Sequence, residues 1–173
     1  MVNIFSLTEL KNASDDTIPA TLRKMGYTQS HTLMDVRLLL GYIGVVAAAL
    51  AGGYDYKVGF EKAKGYTLIG VLTYFLFYGG MNAWQYFVER GTVYVGTKGA
   101  SRVVIRTRTD SASPVYRVEV TTAPGSGKGH VVRKHELFTK WFDLDGNLVA
   151  EPLQTWIGLL IQEAEGSVSK KKK

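Results

Sequence analysis

The chain has 173 residues, 46% of them hydrophobic, and a formal net charge of +6. It contains no cysteine, which excludes a disulfide framework, a cysteine zinc site and thiol chemistry. Four of the positive charges form the terminal run Lys170–Lys173, so the rest of the chain is only mildly basic and no nucleic-acid partner is expected. The length leaves room for a membrane segment and one small globular domain.

Residues 1–37 are mixed in polarity and predict a cytosolic segment with one short helix. Ser14 and the two aspartates after it are typical of a helix N-terminus, and Pro19 is tolerated in a first turn. Gly26 can end the helix, which we expect over Asp16–Met25, on the globular domain or at a membrane surface. A secretory signal peptide is not expected, because the first apolar run begins only after these residues.

Two uncharged runs dominate the middle of the chain. Leu38–Tyr54 has 17 residues and Gly65–Val88 has 24, and a membrane-spanning helix needs roughly 17–25. The link between them, Asp55–Lys64, is too short to be a domain. We therefore predict a transmembrane hairpin over residues 38–88. Two core helices of a soluble domain are the alternative, which the lack of charge on every helix face disfavours.

Lysine and arginine near the span ends indicate the orientation of the hairpin. Eight lie on the outer flanks and three lie in the link. This predicts that both termini are cytosolic and that the link, residues 55–64, is luminal. The first run covers only about 25 Å at about 1.5 Å per residue, which indicates a thin membrane. The flanking residues are Arg23, Lys24, Arg37, Arg90, Lys98, Arg102, Arg106 and Arg108, and those of the link are Lys57, Lys62 and Lys64.

Small residues recur along one face of the first run, at Gly41, Gly44, Ala48 and Ala51. Such a stripe lets another helix approach closely. The second helix of the hairpin and a helix of a partner subunit are both candidates for that neighbour.

Residues 89–166 predict a small cytosolic α+β domain. Turn-forming Gly, Pro, Asp and Ser clusters separate four β-branched segments, which predicts an antiparallel meander. Apolar residues at helical spacing from Leu148 to about Glu165 predict one C-terminal helix packed on the sheet. Residues 167–173 are expected to form a basic tail without structure. The four predicted strands are Thr92–Val95, Ser101–Arg108, Val115–Val120 and His130–Phe138.

Two loops resemble known binding motifs but lack their essential residues. Gly125–Gly129 has a lysine in a glycine-rich loop, yet glycine follows that lysine where a phosphate-binding loop needs Ser or Thr and then a helix. Asp143–Asn147 lacks the acidic spacing and the closing glutamate of a calcium loop. A flexible hairpin loop and an ordinary turn are the better interpretations.

The histidines and serines form no catalytic or metal-binding pattern. His130 and His135 are five residues apart on a predicted strand and so point to opposite faces, and His31 is distant in sequence. Ser101, Ser111 and Ser113 lack the surroundings of a nucleophile elbow. We therefore predict no catalytic residue, no metal site and no cofactor. An enzyme whose site lies on the cytosolic domain is an alternative that only a pocket of converging Ser, His and acidic groups would support.

Three arginines of the second predicted strand, Arg102, Arg106 and Arg108, share one face at even spacing. They allow a different function, in which a hairpin-anchored protein binds lipid head groups or nucleic acid through a basic cytosolic sheet.

Nearly the whole chain resembles the signal peptidase complex subunit 2 family, and fungal members in particular. The resemblance rests on Ser6–Asn12 with Asp15 and Asp16, on Gln29–Arg37, and on Phe138–Asp143 with Gly146 and Leu148-Val149. It implies an endoplasmic reticulum membrane protein with two spans, cytosolic termini and a cytosolic C-terminal domain. It also implies a non-catalytic accessory subunit that assists signal peptide processing. The implied partners are the other subunits, including the catalytic one, and the protein-conducting translocon.

The residues themselves agree with an accessory role. Signal peptides are cut on the luminal side, where the predicted topology exposes only Asp55–Lys64, a segment without Ser, Thr, His or Cys. It could not supply a nucleophile or its general base. The terminal Lys170–Lys173 fits either a dilysine retrieval signal or a basic tail near anionic lipid, and both place it in the cytosol.

Overall fold

The protein consists of two structural units that are interleaved along the chain. The structure, a computed structural model, describes residues 2–110, 113–124 and 129–170, with only the backbone at Phe60, Pro124 and Ser167–Lys170. One unit combines residues 1–30 with 91–173, and the other is formed by residues 31–90. The first unit is thus assembled from both ends of the chain, and the helix expected in the N-terminal segment lies on the globular domain, which was one of the two locations considered for it.

The first unit is built on a five-stranded antiparallel sheet in which spatial order follows chain order. The meander predicted from the turn clusters is confirmed. The first strand was missed because two residues are too few to show an alternating pattern. The strands are β1 Thr28–Gln29, β2 Thr92–Lys98, β3 Ser101–Thr109, β4 Val115–Pro124 and β5 His130–Leu137.

Three helices cover one face of this sheet. They are α1 Leu7–Asp15, α2 Ile18–Lys24 and α5 Ala150–Lys170. Their apolar residues form one core with alternate residues of β3 and β4, such as Ile105 and Val118. The predicted C-terminal helix is confirmed, but it continues to Lys170, so the expectation of an unstructured tail is wrong for residues 167–170. Lys171–Lys173 lie outside the described residues.

The helix predicted over Asp16–Met25 is confirmed as α2, but α1, which precedes it, was missed. Ser6 caps α1, and its Oγ accepts a hydrogen bond from the Glu9 amide at 3.4 Å. Thr17 precedes α2, with Pro19 in its first turn, and Gly26 follows it at φ +83°. Ser14, the predicted cap, lies inside the last turn of α1 and is fully buried.

Buried polar contacts explain that difference. The Ser14 hydroxyl donates to the Leu10 carbonyl at 2.8 Å and accepts from the Trp141 indole N–H at 3.1 Å. The Asp15 carboxylate accepts from the Tyr116 hydroxyl at 2.6 Å and from Lys11 Nζ at 2.5 Å. Buried polar groups need such partners, so the residues that resembled a helix start join α1 to β4 and to the segment after β5. Burial, together with the Asp15 carboxylate, raises the pKa of Tyr116.

The second unit is a pair of long helices, α3 Thr32–Val58 and α4 Phe60–Trp84, followed by a π-helical turn over Gln85–Glu89. Only Gly59, at φ +85°, interrupts them. The predicted loop Asp55–Lys64 is therefore almost entirely helical, because one residue in a conformation open to glycine reverses the chain. Among the described residues, α3 alone is long and apolar enough to qualify by itself as a membrane span.

Replacing Tyr116 with Phe tests the buried contact to Asp15. The change leaves a buried carboxylate with one partner fewer and should lower the free energy of unfolding by about 1–3 kcal/mol. Urea unfolding of the full chain in detergent, followed by tryptophan fluorescence, measures it. Tyr56→Phe is the matched control, since Tyr56 is 94% exposed.

The same pair of variants gives a pH dependence. A tyrosine whose pKa is raised by folding stabilises the fold below its unfolded pKa of about 10 and loses that contribution at higher pH. Stability should therefore fall more steeply above pH about 10 in the unmodified chain than in Tyr116→Phe. Identical slopes would contradict the assigned contact.

Candidate functional site

The two long helices approach each other closely because small residues line their interface. A Cβ at Gly70 would lie 2.4 Å from Ala51 Cβ, and one at Gly44 would lie 3.6 Å from Phe77 Cβ. A Cβ at Gly41 would meet Met81 Sδ at 3.4 Å. These contacts run in antiparallel order, so α3 and α4 form a helical hairpin. Three members of the predicted small-residue stripe, Gly41, Gly44 and Ala51, thus contact α4 of the same chain. Of the two candidate neighbours, the second helix of the hairpin is therefore the one observed.

Polar contacts join the beginning of α3 to the end of α4. Arg37 Nη1 lies 2.9 Å from Glu89 Oε2, and the Trp84 indole N–H donates to the Leu33 carbonyl at 3.3 Å. Arg37 and Glu89 are also the charges that bound the two uncharged runs. The open end of the hairpin is therefore held by an ion pair and an indole hydrogen bond, outside the apolar stretch.

The outward sides of the hairpin are apolar and exposed. The residues concerned include Leu39, Val45, Leu50, Leu68, Leu72, Phe75 and Leu76. A groove of about 310 Å³ runs along the pair, lined by Arg37, Leu38, Leu40, Gly41, Tyr42, Gly44, Val45, Tyr74, Tyr78 and Met81. An exposed apolar surface of this extent is typical of contact with lipid or with other helices.

The face of the sheet opposite the helices is a second candidate surface, which we call the outer sheet face. Strand pairing arranges its side chains in three rows across β3, β4 and β5. The first row is Arg108, Arg117 and His135; the second is Arg106, Glu119 and Arg133; the third is Val104, Thr121 and Val131. Arg102 lies farther along β3 on the same face.

The charges of the second row neutralise one another in part. Glu119 Oε1 lies 3.1 Å from Arg106 Nη1, and Glu119 Oε2 lies 2.6 Å from Arg133 Nε. The hydrogen bond from Arg133, with a further one from Arg106, lowers the pKa of Glu119 against the opposing effect of its partial burial. Among the described residues, the first row has one ion pair, between Arg117 and Asp110 at 2.6 Å.

The structure places the sequence-predicted arginines on one face, but it also adds Arg117 and Arg133. These two were missed because the register between strands cannot be deduced from a single sequence. Arg117 lies two residues before Glu119 on β4, and this even spacing was the one sign in the sequence that both side chains share a face.

The other candidate residues are not brought together. Ser101 begins β3, Ser113 precedes β4, and His130 and His135 lie on β5, while His31 belongs to the second unit. Ser111 and residues 125–128 of the glycine-rich loop lie outside the described residues. Within the described ranges, no group of three or more His, Asp or Glu side chains could hold a metal ion.

The Asp143–Asn147 segment forms the predicted turn. Asp143 Oδ1 accepts from the Asn147 amide at 2.7 Å and from the Asp145 amide at 3.1 Å. Hydrogen bonds from the Asn147 side chain and backbone lower the pKa of Asp143. A Cβ at Gly146, which has φ +76°, would lie 2.1 Å from the Val2 carbonyl oxygen. The Asp143 carboxylate thus already accepts hydrogen bonds from residues of its own turn.

Comparison with known proteins places these features in a family. The family of the microsomal signal peptidase 25 kDa subunit matches residues 9–162. The chain belongs to this family. The resemblance proposed from sequence motifs is therefore confirmed, and the match includes both structural units.

Individual proteins that carry the family's name are similar to this chain in sequence. A Saccharomyces cerevisiae protein named signal peptidase complex subunit 2 is 30% identical over 123 residues, which is 69% of this chain and 68% of that protein. A Caenorhabditis elegans protein of the same name is 37% identical over 99 residues, 57% of this chain and 55% of the relative. The matches thus span little more than half the length of the worm relatives.

Close packing of the hairpin can be tested in this cysteine-free chain. Cysteines introduced as Gly44→Cys and Phe77→Cys should form a disulfide, because their Cβ atoms would be 3.6 Å apart, within the usual range of about 3.5–4.5 Å. Adding Gly70→Leu should force α3 and α4 apart at a cost of about 1–3 kcal/mol and lower the yield of oxidised chain severalfold.

The matched control for that experiment is Gly79→Leu, because a Cβ at Gly79 meets nothing within 4 Å. Non-reducing gel mobility after mild oxidation measures the yield. Equal loss of the disulfide in both leucine variants would contradict the assigned interface.

Proposed function

We propose that this chain is a non-catalytic accessory subunit of the endoplasmic reticulum signal peptidase complex. In this proposal α3 and α4 both cross the membrane, the first unit lies in the cytosol with both termini, and the turn at Gly59 lies in the lumen. The chain supports signal peptide processing by packing beside the catalytic subunit. It also links the complex to the translocon through its cytosolic unit.

The observation that carries the proposal is the way in which the hairpin is inserted into the first unit. The chain leaves that unit after β1 and returns to it at β2, and these two strands are paired, with Thr28 opposite Thr97. The Ser30 amide also donates to the Val95 carbonyl at 2.8 Å. A unit folded around one core occupies one aqueous compartment. Residues 31–90 must therefore begin and end on the same side of any membrane.

This constraint supports a second membrane span, formed by α4, in addition to α3. If α3 crosses a bilayer, the chain has to cross back, and α4 is the only helix between α3 and β2. Its uncharged run of 24 residues is within the length that a span needs. Its outward side chains Leu68, Leu72 and Leu76 are exposed. The need to return supports a two-span topology although α4 is less apolar than α3.

The distribution of basic residues supports cytosolic ends. Lysine and arginine are more numerous on the flanks of residues 38–88 than in the link, eight against three, as the positive-inside rule requires of the cytosolic side. The compact turn around Gly59 would be the luminal part. Among residues 55–64 there is no Ser, Thr, His or Cys, which supports an architectural role for this subunit in a reaction that occurs on the luminal side.

The apolar sides of the hairpin give the proposal its mechanism. The small residues of α3 are mostly used against α4, which leaves the larger side chains and the groove from Arg37 to Met81 for other helices. Helices in lipid associate through such shape-matched packing and not through hydrophobic burial. The hairpin would thus position neighbouring subunits by contact within the membrane.

Affinity purification of the full tagged chain in a mild detergent tests the proposal. The catalytic signal peptidase subunit should be recovered in amounts comparable with the tagged chain, and the translocon after mild crosslinking. Recovery of the chain without the catalytic subunit would contradict the proposed function. Absence of the translocon alone would remove only the proposed link to it.

A further inference from the structure

We propose that the outer sheet face docks an acidic segment of a partner protein, whose carboxylates accept hydrogen bonds from Arg108, Arg117 and Arg133. This proposal rests on the proposed function in one respect, namely that the first unit belongs to a larger assembly and contacts other proteins there. It assigns a surface and a partner chemistry that the accessory role by itself leaves open.

The repulsion between two arginines of the first row is compensated only in part, because Asp110 pairs with Arg117 at 2.6 Å and, among the described residues, no carboxylate pairs with Arg108. Arg108 and Arg117 lie directly opposite each other across β3 and β4. Like charges at directly opposed positions destabilise a sheet. In the neighbouring row Glu119 occupies the central position and takes both arginines. The first row has arginine at that position, and a carboxylate from outside the chain would complete it.

The outer sheet face also carries more positive than negative side chains. The three rows and Arg102 carry five arginines, Arg102, Arg106, Arg108, Arg117 and Arg133, against Glu119. Asp110 pairs with Arg117 from the end of β3. The excess of positive charge therefore remains after every recorded ion pair of these residues is counted. An acidic ligand is complementary to such a face.

The cations of the outer sheet face are almost all of one type. Apart from His135, every basic residue in the three rows is arginine. Lys134, which lies between Arg133 and His135 on β5, points to the other face of the sheet and pairs with Glu163 of α5 at 3.5 Å. Arginine presents a planar fork that binds a carboxylate through two hydrogen bonds, and it is enriched at protein interfaces where lysine is depleted. Uniform use of arginine thus suits a ligand with carboxylate or phosphate groups, and the uncharged residues of the face decide between the two.

The third row of the outer sheet face determines which anions fit best. Val104, Thr121 and Val131 form an uncharged strip beside the arginines, and Val131 is 39% exposed. No aromatic residue occurs in the three rows. Binding of single-stranded nucleic acid relies on aromatic stacking, and interfacial membrane binding relies on large inserted side chains. An extended acidic peptide with small apolar side chains fits this combination better.

The test uses the full chain in micelles of an uncharged detergent. The probe is a fluorescein-labelled peptide of about ten residues that alternates glutamate and valine, long enough to cross the sheet. Fluorescence anisotropy gives its Kd. The double variant Arg108→Glu and Arg117→Glu should raise Kd at least about tenfold. The pair Arg23→Glu and Lys24→Glu, on α2, makes the same change in net charge and should alter Kd by less than about twofold.

A conservative variant separates bidentate recognition from charge alone. Arg108→Lys with Arg117→Lys keeps the charge but loses the planar fork, so Kd should rise about three- to tenfold. This variant also covers the case in which the glutamate variant fails to fold, which circular dichroism would reveal. Full affinity in the lysine variant, or equal loss in the α2 control, would overturn the proposal.

Soluble competitors distinguish the other anions. Glycerophosphoserine and a short oligothymidine should displace the peptide only at far higher concentration than unlabelled peptide does. If either competes as well as the peptide, the face binds head groups or nucleic acid and the proposal is wrong. Failure of peptide binding in a chain that still co-purifies with the catalytic subunit overturns this inference alone. Peptide binding without that co-purification overturns the proposed function alone.

Discussion

The contact on which the rest of the structure depends is the buried attachment of α1 to the sheet. Ser14 accepts from the Trp141 indole and Asp15 accepts from the Tyr116 hydroxyl, across sequence separations of more than 100 residues. Since unpaired polar groups are costly in a core, these bonds specify where α1 lies. Through them the first 30 residues become part of the same unit as residues 91–170, and the hairpin becomes an insertion in that unit.

The insertion explains features of the hairpin that composition alone does not. Its two ends must return to the paired strands β1 and β2, so the helices run antiparallel and need only Gly59 to reverse direction. Close approach then requires glycine opposite alanine, as at Gly70 and Ala51. Because small side chains face inward, large apolar ones face outward, which suits a lipid environment and neighbouring helices.

The same sheet has two faces with opposite chemistry. One face is covered by α1, α2 and α5 and supplies the core, and the other carries rows of arginine. Alternation along each strand makes this division unavoidable once register is set. A unit that exposes an arginine-rich face and carries an apolar hairpin is suited to hold a partner at a membrane, as the proposed accessory role requires.

Local patterns predicted much of this architecture, and long-range contacts account for what they missed. Turn clusters between β-branched segments predicted the meander, and the apolar spacing after Leu148 predicted α5. Ser14 and Asp15 were mistaken for a helix start, because their true partners, Trp141 and Tyr116, are known only from the tertiary fold. The two-residue β1 and the alignment of Arg108 with Arg117 likewise depend on pairing between strands. The helical character of Asp55–Lys64 was missed for a different reason, because the single residue Gly59 is enough to reverse the chain.

The most direct test of the account is the accessibility of single cysteines in sealed microsomes to a membrane-impermeant maleimide. Phe5→Cys, Tyr56→Cys and Leu144→Cys each replace a side chain that is at least 90% exposed, and the chain has no other cysteine. The account predicts that positions 5 and 144 are labelled in sealed vesicles and that position 56 is labelled only after permeabilisation. Labelling of all three in sealed vesicles, or different behaviour at positions 5 and 144, would contradict it.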